Sequence, residues 1–417
     1  MAVIVNQAPT TPNVTNTNLV YTLSSSNASN AQFRYVTDIY ESGSGDFITR
    51  IRTYPNLLGS GIIDVARELD DQLDYDYNWK ITDSIQPVES VKTFDLRFGE
   101  EYGTSYSGSI TQFTGSTSNY LKVFPGEVYK NEGSYNFNTS SFTSTSGSIL
   151  TNHPASLSGG GYQEFGTETY LMNSTDYFTF TTYQDIEGPF PGEIGVAFLK
   201  LDDNGNPVSS FGEILGVIGG SGSFTTWGIG PQNMADYSPT VKTAIDNGDV
   251  QVIYTYGTSN SVVIYLNDKW NGAKPSKGSS SSFTFAEPPL KQCSDEYTRF
   301  AFINQYGFWD YYNVYNPLRS NNQVDRSLYD RTFVKYEDSI GSYNVSNRGT
   351  TQYRTEYNKR YIITTDFINK ATSQWLTELF ESPEVFVQQN GDFVPINIIN
   401  TNIRWNMNTA REKLFQY

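Results

Sequence analysis

The sequence predicts a mainly β protein, built as multiple β-sandwich-like domains with a small C-terminal α+β unit. Three observations carry that prediction. Aromatic residues are abundant, with 31 Tyr, 26 Phe and 6 Trp in 417 residues, and such side chains favour pleated, half-buried surfaces. Gly, Asn and Ser punctuate the aromatic stretches where a sheet protein needs its turns. Apolar residues alternate with period two at many places, whereas helical spacing is clear at only two. The pattern divides the chain into a flexible N-terminal arm over 1–16, a β-sandwich-like domain with one helix over 17–105, a large β-rich domain over 106–329 and a small α+β assembly domain over 330–417. The middle region is read either as an inserted domain or as an elaborated sandwich.

In the first domain Leu19, Tyr21 and Leu23 alternate, and Phe33, Tyr35, Thr37 and Ile39 then alternate against Arg34, Val36 and Asp38. Gly43-Ser44-Gly45-Asp46 supplies a turn, and residues 47–53 resume as the second strand of a hairpin. Ile62, Ala66, Leu69 and Leu73 recur at near-helical spacing, with Asp64, Arg67, Glu68 and Asp71 facing away, which predicts a helix over 61–73. Alternation over 91–98 predicts another strand.

The second domain opens with Ser-, Thr-, Gly- and Asn-rich sequence over 106–160, which makes long loops that cover or contact something. Strands are expected at 176–182, 194–201, 250–256 and 261–266. Asp202-Asp203-Asn204-Gly205 ends one of them, and Gly257-Thr258-Ser259-Asn260 closes the hairpin between the last two. The run 297–315 is densely aromatic, carrying Phe300, Phe302, Tyr306, Phe308, Trp309, Tyr311, Tyr312 and Tyr315, with a turn at Asn304-Gln305-Tyr306-Gly307.

In the third domain, residues 353–357 and 360–364 read as two strands. Asp366 caps a helix through Phe380 whose stripe is Phe367, Ala371, Trp375 and Leu379, and Pro383 stops it. A hairpin follows, from 385–387 through Asn390-Gly391-Asp392 to 393–399. Ile403 and Trp405 open a last strand that adds to a sheet of this chain or of a neighbour.

Conventional catalytic chemistry has little to work with. The chain holds one His, His153, and one Cys, Cys293. A hydrolase needs a nucleophile oriented by a base, or two carboxylates across a cleft. His153 lies in a polar loop beside Pro154, with no Gly-x-Ser-x-Gly nearby. Glu68, Asp70, Asp71, Asp74 and Asp76 crowd the end of the first predicted helix, so a polysaccharide depolymerase stays open as an alternative. Asp202, Asn204, Asn206 and Glu213 match positions of a calcium loop, but Pro207 occupies the position that must be Gly. No phosphate-binding loop is present, and a lone Cys makes neither an intrachain disulfide nor a Cys-rich zinc site. The expectation is a protein without enzymatic activity, cofactor or metal.

Surfaces therefore matter more than reactive groups. A net charge of −16 disfavours nucleic acid or an anionic membrane as the main partner. The local exception is a basic patch around Arg319, Arg326, Arg331 and Lys335. No apolar stretch reaches the length of a membrane span, and the N-terminus lacks the basic and apolar regions of a secretory leader. The candidate interface is Phe300, Phe302, Tyr306, Phe308, Trp309, Tyr311, Tyr312 and Tyr315 with Trp375 and Trp405. Tyr and Trp serve sheet cores and protein interfaces, and they also stack on sugar rings, so host glycan remains an alternative partner.

Three segments resemble virion proteins of tailed phages infecting Bacteroidota, the crAss-like phages among them. They are Phe33-Arg34-Tyr35-Val36-Thr37-Asp38-Ile39-Tyr40, then Cys293-Ser294-Asp295-Glu296-Tyr297-Thr298-Arg299-Phe300, then Phe302-Ile303-Asn304-Gln305-Tyr306-Gly307-Phe308-Trp309-Asp310. The stretch from Trp375 to Val385 is similar in flavour, while 106–290 is unmatched. The resemblance implies a structural subunit of the tail, neck or collar, made in the host cytoplasm and carried in the virion. It further implies copies in a symmetric ring beside other virion structural proteins. A receptor- or glycan-binding fibre module is the alternative.

Overall fold

The computed structural model describes residues 3–82, 84–126, 148–150, 170–171, 175–184, 193–201, 207–217, 223–228, 230–246, 250–256, 260–266, 284–286, 297–314, 319–330, 334–337, 340–343, 349–365, 370–399, 406–408 and 414–416. Of these, 51% lie in strands and 11% in helices, so the mainly β prediction holds. Two compact units emerge. The first comprises Met1–Lys291, Arg299–Asn313 and Asn369–Thr401, and the second Gln292–Thr298, Val314–Ile368 and Asn402–Tyr417.

The first unit begins with a sandwich-like pair of sheets. One has five strands in the order Asn13–Val14, Ile110–Phe124, Lys92–Gly103, Ala31–Glu41 and Phe47–Thr53. The other has three, in the order Ile4–Gln7, Val20–Ser24 and Gly61–Asp64. The expected hairpin is present, with Tyr35 opposite Thr53 and Ile39 opposite Thr49. Tyr21, Leu23 and Ile63 from the smaller sheet share one core with Phe33, Tyr35, Ile39, Phe94, Leu96 and Phe98 from the larger. Period two explains this directly, since alternate residues of each strand face the same way. Residues 4–14, read from sequence as part of an arm, instead supply two of these strands, and Val14 is fully buried.

The predicted helix over 61–73 is mostly a strand. Residues Gly61–Asp64 pair with Val20–Ser24, and only Ala66–Asp70 is helical. The helical reading rested on Ile62, which is exposed, while Ile63 and Val65 point into the core at strand spacing. Gly61 permits the close packing, because a Cβ there would stand 2.4 Å from the Tyr35 ring. The Asp64 carboxylate then accepts hydrogen bonds from the Leu19 and Ala66 amides at 2.9 and 3.1 Å, turning the chain into the short helix.

Three further sheets belong to the first unit among its described residues. A four-stranded sheet runs Ser148–Ile149, Thr179–Gln184, Ser223–Gly228 and Ser84–Ile85. A six-stranded sheet contains Glu193–Leu201 between Pro207–Val217 and Val250–Tyr256, and Asn260–Leu266 follows the latter. Tyr256 is opposite Asn260, as the expected hairpin requires. Two short helices, Pro231–Tyr237 and Pro239–Asp246, were not anticipated. The last sheet runs Trp309–Val314, Thr298–Ile303, Val385–Gln389 and Asp392–Ile396. Its hairpin turns on Asn390 and Gly391 with φ of 53° and 86°, the two left-handed residues that a tight type I′ turn demands.

The C-terminal helix is also corrected. It consists of two pieces, Lys370–Trp375 and Thr377–Glu381, broken at Leu376. At the junction the Leu376 amide still donates to the Thr372 carbonyl at 2.9 Å, whereas the Leu379 amide donates only three residues back, to Leu376 at 3.2 Å, and Trp375, Leu376 and Leu379 are all buried. Among the described residues, no helix is long and apolar enough to cross a membrane.

The second unit contains only two-stranded ladders among its described residues. The longest pairs Arg319–Asp330 with Thr350–Ile362, and Val334–Glu337 with Ile340–Tyr343 lies between them in sequence. Thr350–Ile362 merges the two strands expected at 353–357 and 360–364. Its partner Arg319–Asp330 was not predicted as a strand. Asp202 to Asn206, His153, Cys293, Tyr315, Arg331, Asp366, Phe367, Ile403 and Trp405 lie outside the described residues.

Candidate functional site

The part of the aromatic run over 300–313 packs within the first unit. Phe300, Phe302, Phe308 and Tyr311 are buried, while Tyr306, Trp309 and Tyr312 are half-buried. Trp375 joins them, its ring 5.4 Å from Phe302 and 5.9 Å from Tyr312. Its indole N–H donates to buried Asp310 at 2.8 Å. Trp309 donates to the Asp76 carbonyl at 2.7 Å and packs edge-on against Phe386. Phe308 lies among Phe124 and Phe224. These rings serve as this chain's own core.

The predicted turn in the middle of the run is real. The Asn304 side-chain oxygen accepts from the amides of Tyr306 and Phe308, and its amide group donates to the Leu150 carbonyl. Gly307 has φ of +79°, and a Cβ there would stand 1.2 Å from the Pro125 carbonyl oxygen. Only glycine fits, for both conformational and packing reasons.

Beside the run is a fully buried ion pair. Arg299 lies 3.3 Å from Asp176, with both side chains inaccessible to solvent. Asn313 bridges them, accepting from Arg299 at 2.8 Å and donating to Asp176 at 2.9 Å. Arg299 also donates to the Tyr177 carbonyl and lies over the Tyr311 ring. Burial pushes the Tyr311 phenol up to about 12, and its hydroxyl is 2.7 Å from that of Thr179. Such a network holds strands in register, and every carboxylate oxygen it uses faces a donor rather than a substrate.

Two members of the acidic cluster flagged in the sequence are similarly occupied. Asp70 accepts from Thr15, and Asp76 accepts from the Ser90 amide and hydroxyl. Among the described residues, no three His, Cys, Asp or Glu side chains gather as a metal ion would need.

A charged face covers the outer side of the five-stranded sheet. Asp38, Asp95 and Glu101 are buried there beneath Arg50, Arg97, Arg34 and Arg52. Arg50 grips Asp38 with two parallel bonds of 2.5 and 2.7 Å, the strongest geometry for such a pair. Arg97 lies 4.1 Å above the Tyr40 ring. This face is internally paired.

Among the described residues, the long ribbon of the second unit is the surface that exposes most of its side chains. Twelve residues of Arg319–Asp330 span about 40 Å at the usual strand rise. Along Thr350–Ile362 nearly every residue is exposed, and the opposite strand is the same. Its exposed residues include Val324, Leu328, Tyr329, Tyr353, Tyr357 and Ile362. Val324 is opposite Tyr357, and the Tyr329 and Tyr353 rings are 5.9 Å apart. An isolated two-stranded ribbon is marginally stable in water at best. The sequence marked Arg319 and Arg326 as members of one basic patch, but an odd spacing of seven puts them on opposite faces of the strand. The weak signal for the strand itself was Val324 and Leu328, set among polar residues at even spacing.

Fold and surface together define a mainly β protein of several sheets with an exposed ribbon. No protein-family model and no curated protein matches the chain.

Proposed function

We propose that this chain is a non-enzymatic structural subunit of a tailed-phage virion, acting in a ring of the tail, neck or collar. The observation that carries the proposal is the ribbon, whose strands expose aliphatic and aromatic side chains and have no third strand beside them among the described residues. Monomeric proteins blunt or cover such edges, whereas assembly proteins use them as templates. Engagement of the reactive group types supports the same reading. Arg299, Asp176, Asp76 and Glu101 all serve packing or pairing. The burial of Phe300, Phe302, Phe308 and Tyr311 takes those four rings away from any sugar-stacking role.

Native mass spectrometry with negative-stain imaging of the full chain tests the proposal. Defined oligomers, seen as closed rings, are the expected result. A chain that stays single, with ribbon amides as slow to exchange hydrogen as those of the five-stranded sheet, would remove it.

A further inference from the structure

We propose that one face of the ribbon docks on an acidic surface of a second copy of this chain. The inference rests on the assembly reading and names its partner and its contact face. The register separates two unlike faces. On one, Ser320 is opposite Tyr361, Asn322 opposite Lys359, Val324 opposite Tyr357 and Arg326 opposite Thr355. The Lys359 ammonium lies 4.8 Å from the centre of the Tyr361 ring, which places both on this side. From Ser320 to Arg326 this face carries apolar and aromatic groups and two cations, and its one carboxylate, Asp330, lies beyond the bulge, where it accepts from the Thr350 hydroxyl. On the other, Asn321 is opposite Arg360, Gln323 opposite Asn358 and Asp325 opposite Glu356. Glu356 there pairs with Arg354, and Arg319 is opposite Ile362 at the ribbon's base, so the second face is mainly polar and of mixed sign.

A face of apolar groups flanked by Arg326 and Lys359 fits a partly apolar, acidic protein surface. The chain itself supplies acid in excess. The paired strands hold Arg319, Arg326, Arg354, Lys359 and Arg360 against Asp325, Asp330 and Glu356, a net charge of +2. The whole chain is −16, which leaves −18 for the remainder. Copies would thus repel one another everywhere except where a ribbon meets an acidic surface, and that contact sets orientation as well as affinity. A nucleic acid fits less well, because two cations on one face neutralise few phosphates and the remaining −18 opposes the approach. A contact of this kind, ribbon on one copy and acidic surface on the next, is head-to-tail and closes into a ring when its rotation divides a full turn.

Sedimentation velocity of the full chain over a range of concentration and salt tests the inference. Self-association that weakens as salt rises is expected. Tyr357→Ser and the pair Arg326→Glu with Lys359→Glu should each weaken it about tenfold or more. The milder Lys359→Gln should weaken it less. All three positions accept these changes without loss of fold, because Tyr357, Arg326 and Lys359 are exposed. Oligomers indifferent to all of these substitutions would overturn the ribbon contact. A wild-type chain that remains monomeric throughout would overturn the choice of a second copy. In that case hydrogen exchange on the same sample separates the two levels. Fast-exchanging ribbon amides would leave the assembly reading standing with a different virion protein as partner, and slow-exchanging ones would remove both. A gel shift with single-stranded oligonucleotide at low salt, reversed by Lys359→Glu, would assign the face to nucleic acid instead.

Discussion

Strands Ala31–Glu41 and Thr350–Ile362 are written in the same alphabet of aromatic, β-branched and charged residues, yet their surroundings differ completely. In the first, Phe33 and Tyr35 retain 4% and 0% of their exposure, whereas in the second Tyr353 and Tyr357 retain 66% and 59%. The difference lies in what faces each strand. Phe33 and Tyr35 share a core with Tyr21, Leu23 and Ile63 of another sheet, which forms a second layer over them. The ribbon has no second layer among the described residues. Alternation with period two therefore specifies a strand and its two faces, while burial depends on whether an aliphatic partner sheet exists elsewhere in the chain.

Substitutions can break this comparison, and the largest effects belong to the first unit. Asp176→Ala should cost about 3–5 kcal/mol by leaving the Arg299 charge buried and unpaired. Tyr35→Ala should cost a similar 3–5 kcal/mol or so through lost packing and a cavity. Both are measurable as falls in the denaturant midpoint. Tyr357→Ala on the ribbon should change the stability of the single chain by less than about 0.5 kcal/mol. An equal cost for Tyr35 and Tyr357 would mean that the ribbon is packed after all.

Gly307→Ala should destabilise by about 1–3 kcal/mol from the left-handed backbone, with more added by the clash at Pro125. Alkaline titration gives a finer test. Tyr311 is raised from its ordinary value of 10.0 to about 12, so the folded state holds a proton that the unfolded state has lost between those values. Stability should be unaffected below about pH 10 and fall as pH rises towards 12, with tyrosinate absorbance of this residue appearing late. The smallest effect is a gain. Asp325 and Glu356 are directly opposite, and Asp325→Asn should stabilise the ribbon by about 0.2–1 kcal/mol, read as slower amide exchange in that segment.

Where the sequence was legible, a local rule decided the structure. The hairpin at 31–53 and the one at 385–396 carry their own turn residues, and Asn390-Gly391 alone nearly dictates the second. The turn at 304–307 was legible for the same reason. Segments whose state depends on distant partners were not. Gly61–Asp64 has a spacing that fits a helix, and only pairing with Val20–Ser24 selects the strand. Residues 4–14 hold few apolar groups, and the strand edges that recruit them come from Val20–Ser24 and Ile110–Phe124. The aromatic run was identified as a special region, but the rings that enclose it, Phe124, Phe224 and Phe386, lie far away in sequence. Arg319–Asp330 escaped because polar residues fill both of its faces apart from Val324, Leu328 and Tyr329.

The pairing of Arg319 with Ile362 brings the chain back beside the point from which it set out, and the intervening segment is closed on itself. Length is then an adjustable quantity. Adding two residues to each strand at opposed positions would extend the reach by about 7 Å and leave every existing side chain on its original side. Adding one residue to a single strand would invert the side chains beyond it or force a bulge, as at Ser327 and Leu328. Paired insertions in this one excursion are thus a simple route to a longer reach, with the strand registers of the first unit left as they are.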